Sequence, residues 1–102
     1  MNDTLKDLKA MRRRLAKRAN WTQGAGARNR HGKPVRPESV SAVRWCLVGA
    51  TFMTTTPWWR VIGILKHCSG SPCMSAWNDR KGRTHAEVLS LLDEAIAKAR
   101  AA

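Results

Sequence analysis

Acidic residues are scarce in this chain. Only 7 Asp and Glu stand against 19 Lys and Arg in 102 residues, giving a formal net charge of +12. That shortage excludes a self-neutralised surface, and a polyanion or an acidic protein surface would relieve the repulsion. Tyrosine is missing and phenylalanine occurs once, so five tryptophans carry the aromatic character. Cysteine is limited to three, an odd number that fits reduced thiols in a cytosol better than a disulfide framework. Long apolar runs are also lacking. The longest, Trp45 to Met53, is too short for a bilayer, where about 20 residues are needed. No apolar stretch follows the basic Lys6 and Arg12 to Arg14, so no secretory signal is expected and the expected location is cytoplasmic. The apolar fraction of 43% suffices for one hydrophobic core, and with 25% charged residues it argues against a disordered chain. One domain over 1–102 is expected: a basic N-terminal helix (1–19), a basic loop (20–37) and a helical body (38–102).

The charge is unevenly placed. Residues 1–36 hold 11 basic and 2 acidic residues, a net of +9, so most of the excess lies in the first third. There the pattern predicts a helix from Thr4 to Arg18, capped by Asn2 or Asp3, with Lys17 and Arg18 suiting its C-terminal dipole. Leu5, Leu8, Met11 and Leu15 share one arc of that helix, and Lys6, Lys9, Arg13 and Lys17 share another, with Arg14 nearby. Glycines and prolines then punctuate Trp21 to Pro37, which reads as a loop or short β-hairpin turning at Arg30-His31-Gly32-Lys33, with Gly32 at positive φ. Arg28, Arg30, Lys33 and Arg36 form a second basic cluster on it.

Further along, Val40, Val43, Leu47 and Ala50 repeat at helical spacing and predict a second helix from Ser39. Thr56 is placed to cap a third, with Pro57 at its first position, running from Trp58 to His67. Thr84 and Glu87 form a T-x-x-E capping box ahead of Val88, Leu91, Leu92, Ala95, Ile96 and Ala99, the stripe of a last amphipathic helix. The expected fold is mainly α, about four helices with a loop or short hairpin between the first two.

Residue types that can carry chemistry are few. Cys46, His85 and Asp79 could supply a nucleophile, a base and an orienting acid, but the plainer reading makes Cys46 a small core residue with no cation to lower its pKa. His67-Cys68, Cys73 and Cys46 offer zinc donors without a second closely spaced pair to complete a site. Gly24-Ala25-Gly26 lacks the strand before it and the Gly-Lys-Ser or Gly-Lys-Thr after it that a phosphate loop needs. No metal, cofactor or enzymatic activity is therefore expected. Adjacent helical residues point about 100° apart, so of Trp58 and Trp59 one is expected in solvent, where with Arg60 it makes a candidate partner hot spot. Trp21, Trp45 and Trp77 read as pins between elements. Trp77-Asn78-Asp79 reads as a structural turn.

Three stretches, Trp21-Thr22-Gln23-Gly24, Ala42 to Ala50 with Trp45-Cys46 and Gly49-Ala50, and Trp77-Asn78-Asp79 leading through Gly82-Arg83-Thr84 to Leu89, have an order and spacing of their own. They resemble an uncharacterised domain family of bacteria, their plasmids and phages, marked by W-x-Q-G, W-C-x-x-G-A and W-N-D-x-x-G-R-T. The resemblance spans most of residues 5–101. It implies a compact, mostly helical domain and a mobile-element origin, and brings no activity with it. Asn29 departs from the aspartate expected in similar proteins, and Arg28 to Lys33 is unusually basic, which suggests a partner particular to this chain. Two function classes follow. The first is a non-enzymatic protein contacting DNA or RNA through Lys6, Lys9, Arg13, Arg14, Lys17, Arg28, Arg30, Lys33 and Arg36. The second is a phage- or plasmid-type inhibitor or adaptor, for example an anti-defence protein, docking on an acidic surface of a host complex.

Overall fold

The computed structural model describes residues 3–54 and 57–101. They form helix α1 (Asp3–Arg14), strands β1 (Ala27–Arg28), β2 (Pro34–Val35) and β3 (Arg44–Trp45), and helices α2 (Trp58–Ser69), α3 (Met74–Asp79) and α4 (His85–Ala101). Two short 3-10 turns, Arg18–Asn20 and Gly49–Met53, link them. The fold is mainly α, with a small hairpin between α1 and α2.

Helix α1 stops at Arg14, four residues before the expected end. Its last carbonyls are claimed by side chains: the Asn20 amide donates to Arg14 O at 3.0 Å, and His85 Nε2 meets Leu15 O at 2.6 Å. Lys17 consequently sits in extended backbone, off the helix. The hairpin forms as the turn residues demand. Strand β1 pairs antiparallel with both β2 and β3, and Gly32 takes φ 80° at the tip. Asn29 Oδ1 accepts from the His31 and Lys33 N–H groups, an Asx turn that needs only an acceptor there.

The expected helix from Ser39 does not exist. Two tight turns, Ser39 N–H to Arg36 O and Ala42 N–H to Ser39 O, lead instead into β3, where Trp45 lies opposite Ala27. Val40 and Val43 are exposed, so their helical spacing served no core. β-branched side chains favour an extended chain, and pairing with β1 takes up the backbone groups a helix would have used. Leu47 and Ala50 are buried as expected, but from a turn and a 3-10 segment.

Helix α2 begins at Trp58, with Pro57 just outside it at ψ 130° rather than in its first turn; Thr56 lies outside the described residues. It ends two residues beyond His67, on Gly70 at φ 71°. Trp77-Asn78-Asp79 closes a short helix, α3, where a turn was expected. The capping box at α4 forms in both directions, with Thr84 N–H to Glu87 Oε1 at 2.8 Å and Glu87 N–H to Thr84 Oγ1 at 3.2 Å. Leu8 and Met11 of α1, with Leu15 just after it, pack against Val61 and Leu65 of α2 and Val88, Leu92 and Ala95 of α4. Arg12 meets Asp93 while Leu15 O meets His85, so α1 and α4 run antiparallel.

Candidate nucleic-acid interface

Burial of Leu8, Met11 and Leu15 fixes how α1 rolls, and that roll decides where its cations point. Lys6 and Arg13 are exposed and Lys9 half-buried on the side away from the core. The three stand within one arc over about 10 Å of helix, at a rise of roughly 1.5 Å per residue. Lys17, the expected fourth member, is exposed on the segment that follows. The basic arc is therefore a three-residue feature.

Arg14 and Arg28 are engaged in the fold. The Arg14 guanidinium lies 4.4 Å from the centre of the Trp45 ring, tying the end of α1 to β3. Arg28 donates to Thr22 Oγ1, Gly32 O and Gln23 O, all at 3.0 Å, which makes it the brace of the hairpin rather than a free cation. Arg36 pairs with Glu38 at 2.7 Å, exposed to water. Arg30 and Lys33 remain exposed at the hairpin tip, with Arg30 Nε at 3.3 Å from His31 Nε2. Among the described residues no ion pair reaches Lys6, Lys9, Arg13, Lys17, Arg30 or Lys33.

Three carboxylates outside the N-terminal third are engaged with other partners. Asp93 binds Arg12, and Asp79 accepts the Gly24 N–H and an Asn78 amide hydrogen. Glu87 serves the capping box and Arg83, and its hydrogen bond from the Thr84 N–H holds its carboxyl below the ordinary range. Cations that sequence reasoning missed add to the excess. Arg80 and Lys81 are exposed between α3 and α4, and Arg44 donates to Ala19 O. Spacing could not place Arg80 and Lys81, since α3 itself was not foreseen, nor Arg44, since β3 was not.

Trp58 and Trp59 are both exposed, at 61% and 57%, where only one was expected. They open α2 ahead of its first buried residue, Val61, so neither has a core to face. Phe52 is 64% exposed, and the Arg60 guanidinium lies 5.3 Å from the Trp59 ring.

Cys46, His85 and Asp79 are each hydrogen-bonded to other partners. Cys46 is buried and accepts the Gly49 N–H at 3.1 Å, and burial pushes its thiol pKa up. His85 is held by Leu15 O, and Asp79 by its two donors. Among the described residues no three His, Cys, Asp or Glu side chains stand together as a metal site, and no helix is long and apolar enough to cross a membrane.

What the three tryptophan-containing stretches build is a buried polar hub. Asn78, fully inaccessible, accepts Trp21 Nε1–H at 2.8 Å and Leu47 N–H at 3.0 Å through Oδ1. Its amide donates to Thr22 O and Asp79 Oδ1. Gln23 donates to Asn78 O and Arg80 O, and the Arg83 guanidinium lies 3.8 Å from the centre of the Trp77 ring. These residues are spent on joining the loop, β3 and α3.

The chain belongs to the family of unknown function DUF6197, whose model matches residues 1–98. No curated protein matches it. No solved structure matches it.

Proposed function

We propose that this DUF6197 member is a non-enzymatic protein that binds DNA or RNA through phosphate contacts made by its N-terminal third. The observation that carries the reading is the set of cations, exposed Lys6 and Arg13 and half-buried Lys9 on α1 and exposed Arg30 and Lys33 on the hairpin, that no ion pair among the described residues engages. Side chains on a helix locked into a core can meet successive phosphates, and each phosphate neutralised releases condensed counterions. Binding is expected to be nearly independent of sequence, since phosphate contacts position a protein without reading bases. Titration of a labelled generic DNA duplex and a generic RNA at low salt tests the reading. Binding that weakens steeply with added salt supports it.

A second reading, docking on an acidic surface of a host protein complex, draws on the exposed Phe52, Trp58 and Trp59. Tryptophan and arginine are enriched among residues that dominate protein interfaces. Absence of nucleic-acid binding at low salt favours this alternative. A pull-down from lysate that survives nuclease treatment and is lost with Trp58→Ala and Trp59→Ala would then support it.

A further inference from the structure

We infer that the cleft between the end of α1 and β3 binds an unpaired nucleobase on the Arg14–Trp45 stack, so that the protein prefers single-stranded to duplex nucleic acid. The inference rests on the nucleic-acid reading above and gives that interface a specificity that charge alone does not supply.

The cleft is shallow and open to solvent, about 460 Å³, and is lined by Ala10, Arg13, Arg14, Asn20 and Trp45. Its aromatic wall is held in place: Trp45 Nε1–H donates to Pro37 O at 3.1 Å, and Trp45 O accepts the Thr22 N–H at 3.0 Å. With the indole N–H spent, the ring serves as the platform beneath Arg14, and it is the guanidinium that is left to meet a base. Arg14 stands over that ring at 4.4 Å, with no ion pair among the described residues to draw it away. Ala10, one turn before Arg14, is too small to fill the space. Asn20 also lines it, anchored by its amide to Arg14 O. Arg13 belongs both to this cleft and to the basic arc of α1, so a strand tracking the arc is led into it.

Guanidinium planes and indole rings stack on any base, because every base has a π-face. In a duplex that face is covered by the neighbouring pairs, and only an unpaired base can present it. A phosphate-binding arc alone gives a single strand no advantage over the more densely charged duplex. The other strongly basic cleft, lined by Arg80, Lys81, Gly82, Arg83 and Glu87, carries a carboxylate in its wall and an arginine already bound to Trp77 O.

The test compares a labelled single strand with its own duplex by fluorescence anisotropy at one salt concentration. The single strand should bind about tenfold tighter, within the range stacking of one base provides. Arg14→Lys keeps the charge and removes the plane, while Ala10→Leu keeps every charge and fills the cleft. Each should reduce single-strand affinity to the duplex level and leave duplex binding unchanged. Equal affinities in the wild type overturn the cleft assignment and leave the phosphate-binding reading standing. So does a preference that survives both variants. If neither form binds at low salt, the functional reading fails and takes this inference with it.

Discussion

Asn78 is the residue on which the three tryptophan stretches converge, and its replacement tests whether the hub holds the fold. Asn78→Leu keeps approximate size and removes the amide. It strands the Leu47 N–H, which is buried, and the Trp21 indole N–H and Thr22 carbonyl, which are partly so. A buried group left without its partner costs about 1–3 kcal/mol, and a part-buried one less, so the sum is about 3 kcal/mol. For a domain of this size each kcal/mol moves the thermal midpoint by about 4–8 °C, which predicts a fall of roughly 12–24 °C. Asn78→Asp separates hydrogen bonding from packing. The new carboxyl would face Thr22 O and the Asp79 carboxylate, both acceptors, and only its protonated form has a hydrogen to give. Burial and Asp79 would raise its folded pKa above the unfolded one, so the deficit against wild type should grow as pH rises through the carboxylate range and shrink in acid. Calorimetric scans of the three proteins from pH 4 to pH 8 measure both effects. A midpoint for Asn78→Leu within a few degrees of wild type at neutral pH would refute the reasoning.

Gly49→Ala should destabilise by more than about 2 kcal/mol, because a Cβ there would lie 1.9 Å from Gly26 O, a backbone atom with no room to yield. Gly63→Ala, on an open face of α2, should stabilise by about 0.5–1 kcal/mol, and denaturant midpoints of the pair read both signs. Thr84→Ala should cost about 1 kcal/mol through the lost cap of α4. Because Glu87 is held below its ordinary pKa, its contribution is present above that range and lost as pH falls through the folded value. The stability difference between wild type and Glu87→Gln should therefore vanish in acid. A thiol reagent should label exposed Cys73 first, since the Ser75 hydroxyl lowers its pKa, and buried Cys46 last. Rapid native labelling of Cys46 would contradict its place in the core. Cys46→Ala should cost about 1–2 kcal/mol, read from the denaturant midpoint.

Local signals were legible wherever one segment decides its own structure. The α4 stripe and its capping box, the Gly32 turn and the buried arc of α1 all follow from periodicity or turn chemistry within a few residues. Failures came where distant groups decide. Residues 39–50 repeat at helical spacing, yet pairing of Trp45 with Ala27 claims that backbone for a sheet. Asn20 was expected to end α1 and does meet its last carbonyl, but His85 reaches Leu15 O from 70 residues away, which no cap rule applied to Lys17 and Arg18 could foresee. The same long reach reshaped the candidate interface. Arg28 looked like one more loop cation, and three acceptors make it a brace. Arg14 looked like a neighbour of the basic arc, and its guanidinium lies over the Trp45 ring.

The central claim is that the cations of the N-terminal third bind phosphate. Its most direct measurement is the salt dependence of duplex DNA binding for wild type and for Lys6→Gln, Lys9→Gln, Arg13→Gln combined. With four to six phosphate contacts, log K should fall against log salt with a slope of about −4 to −5. The triple variant touches no buried group, so its thermal midpoint should hold while the slope flattens by about 2 to 3. Tight binding insensitive to salt, or a variant whose slope matches wild type, would contradict the account.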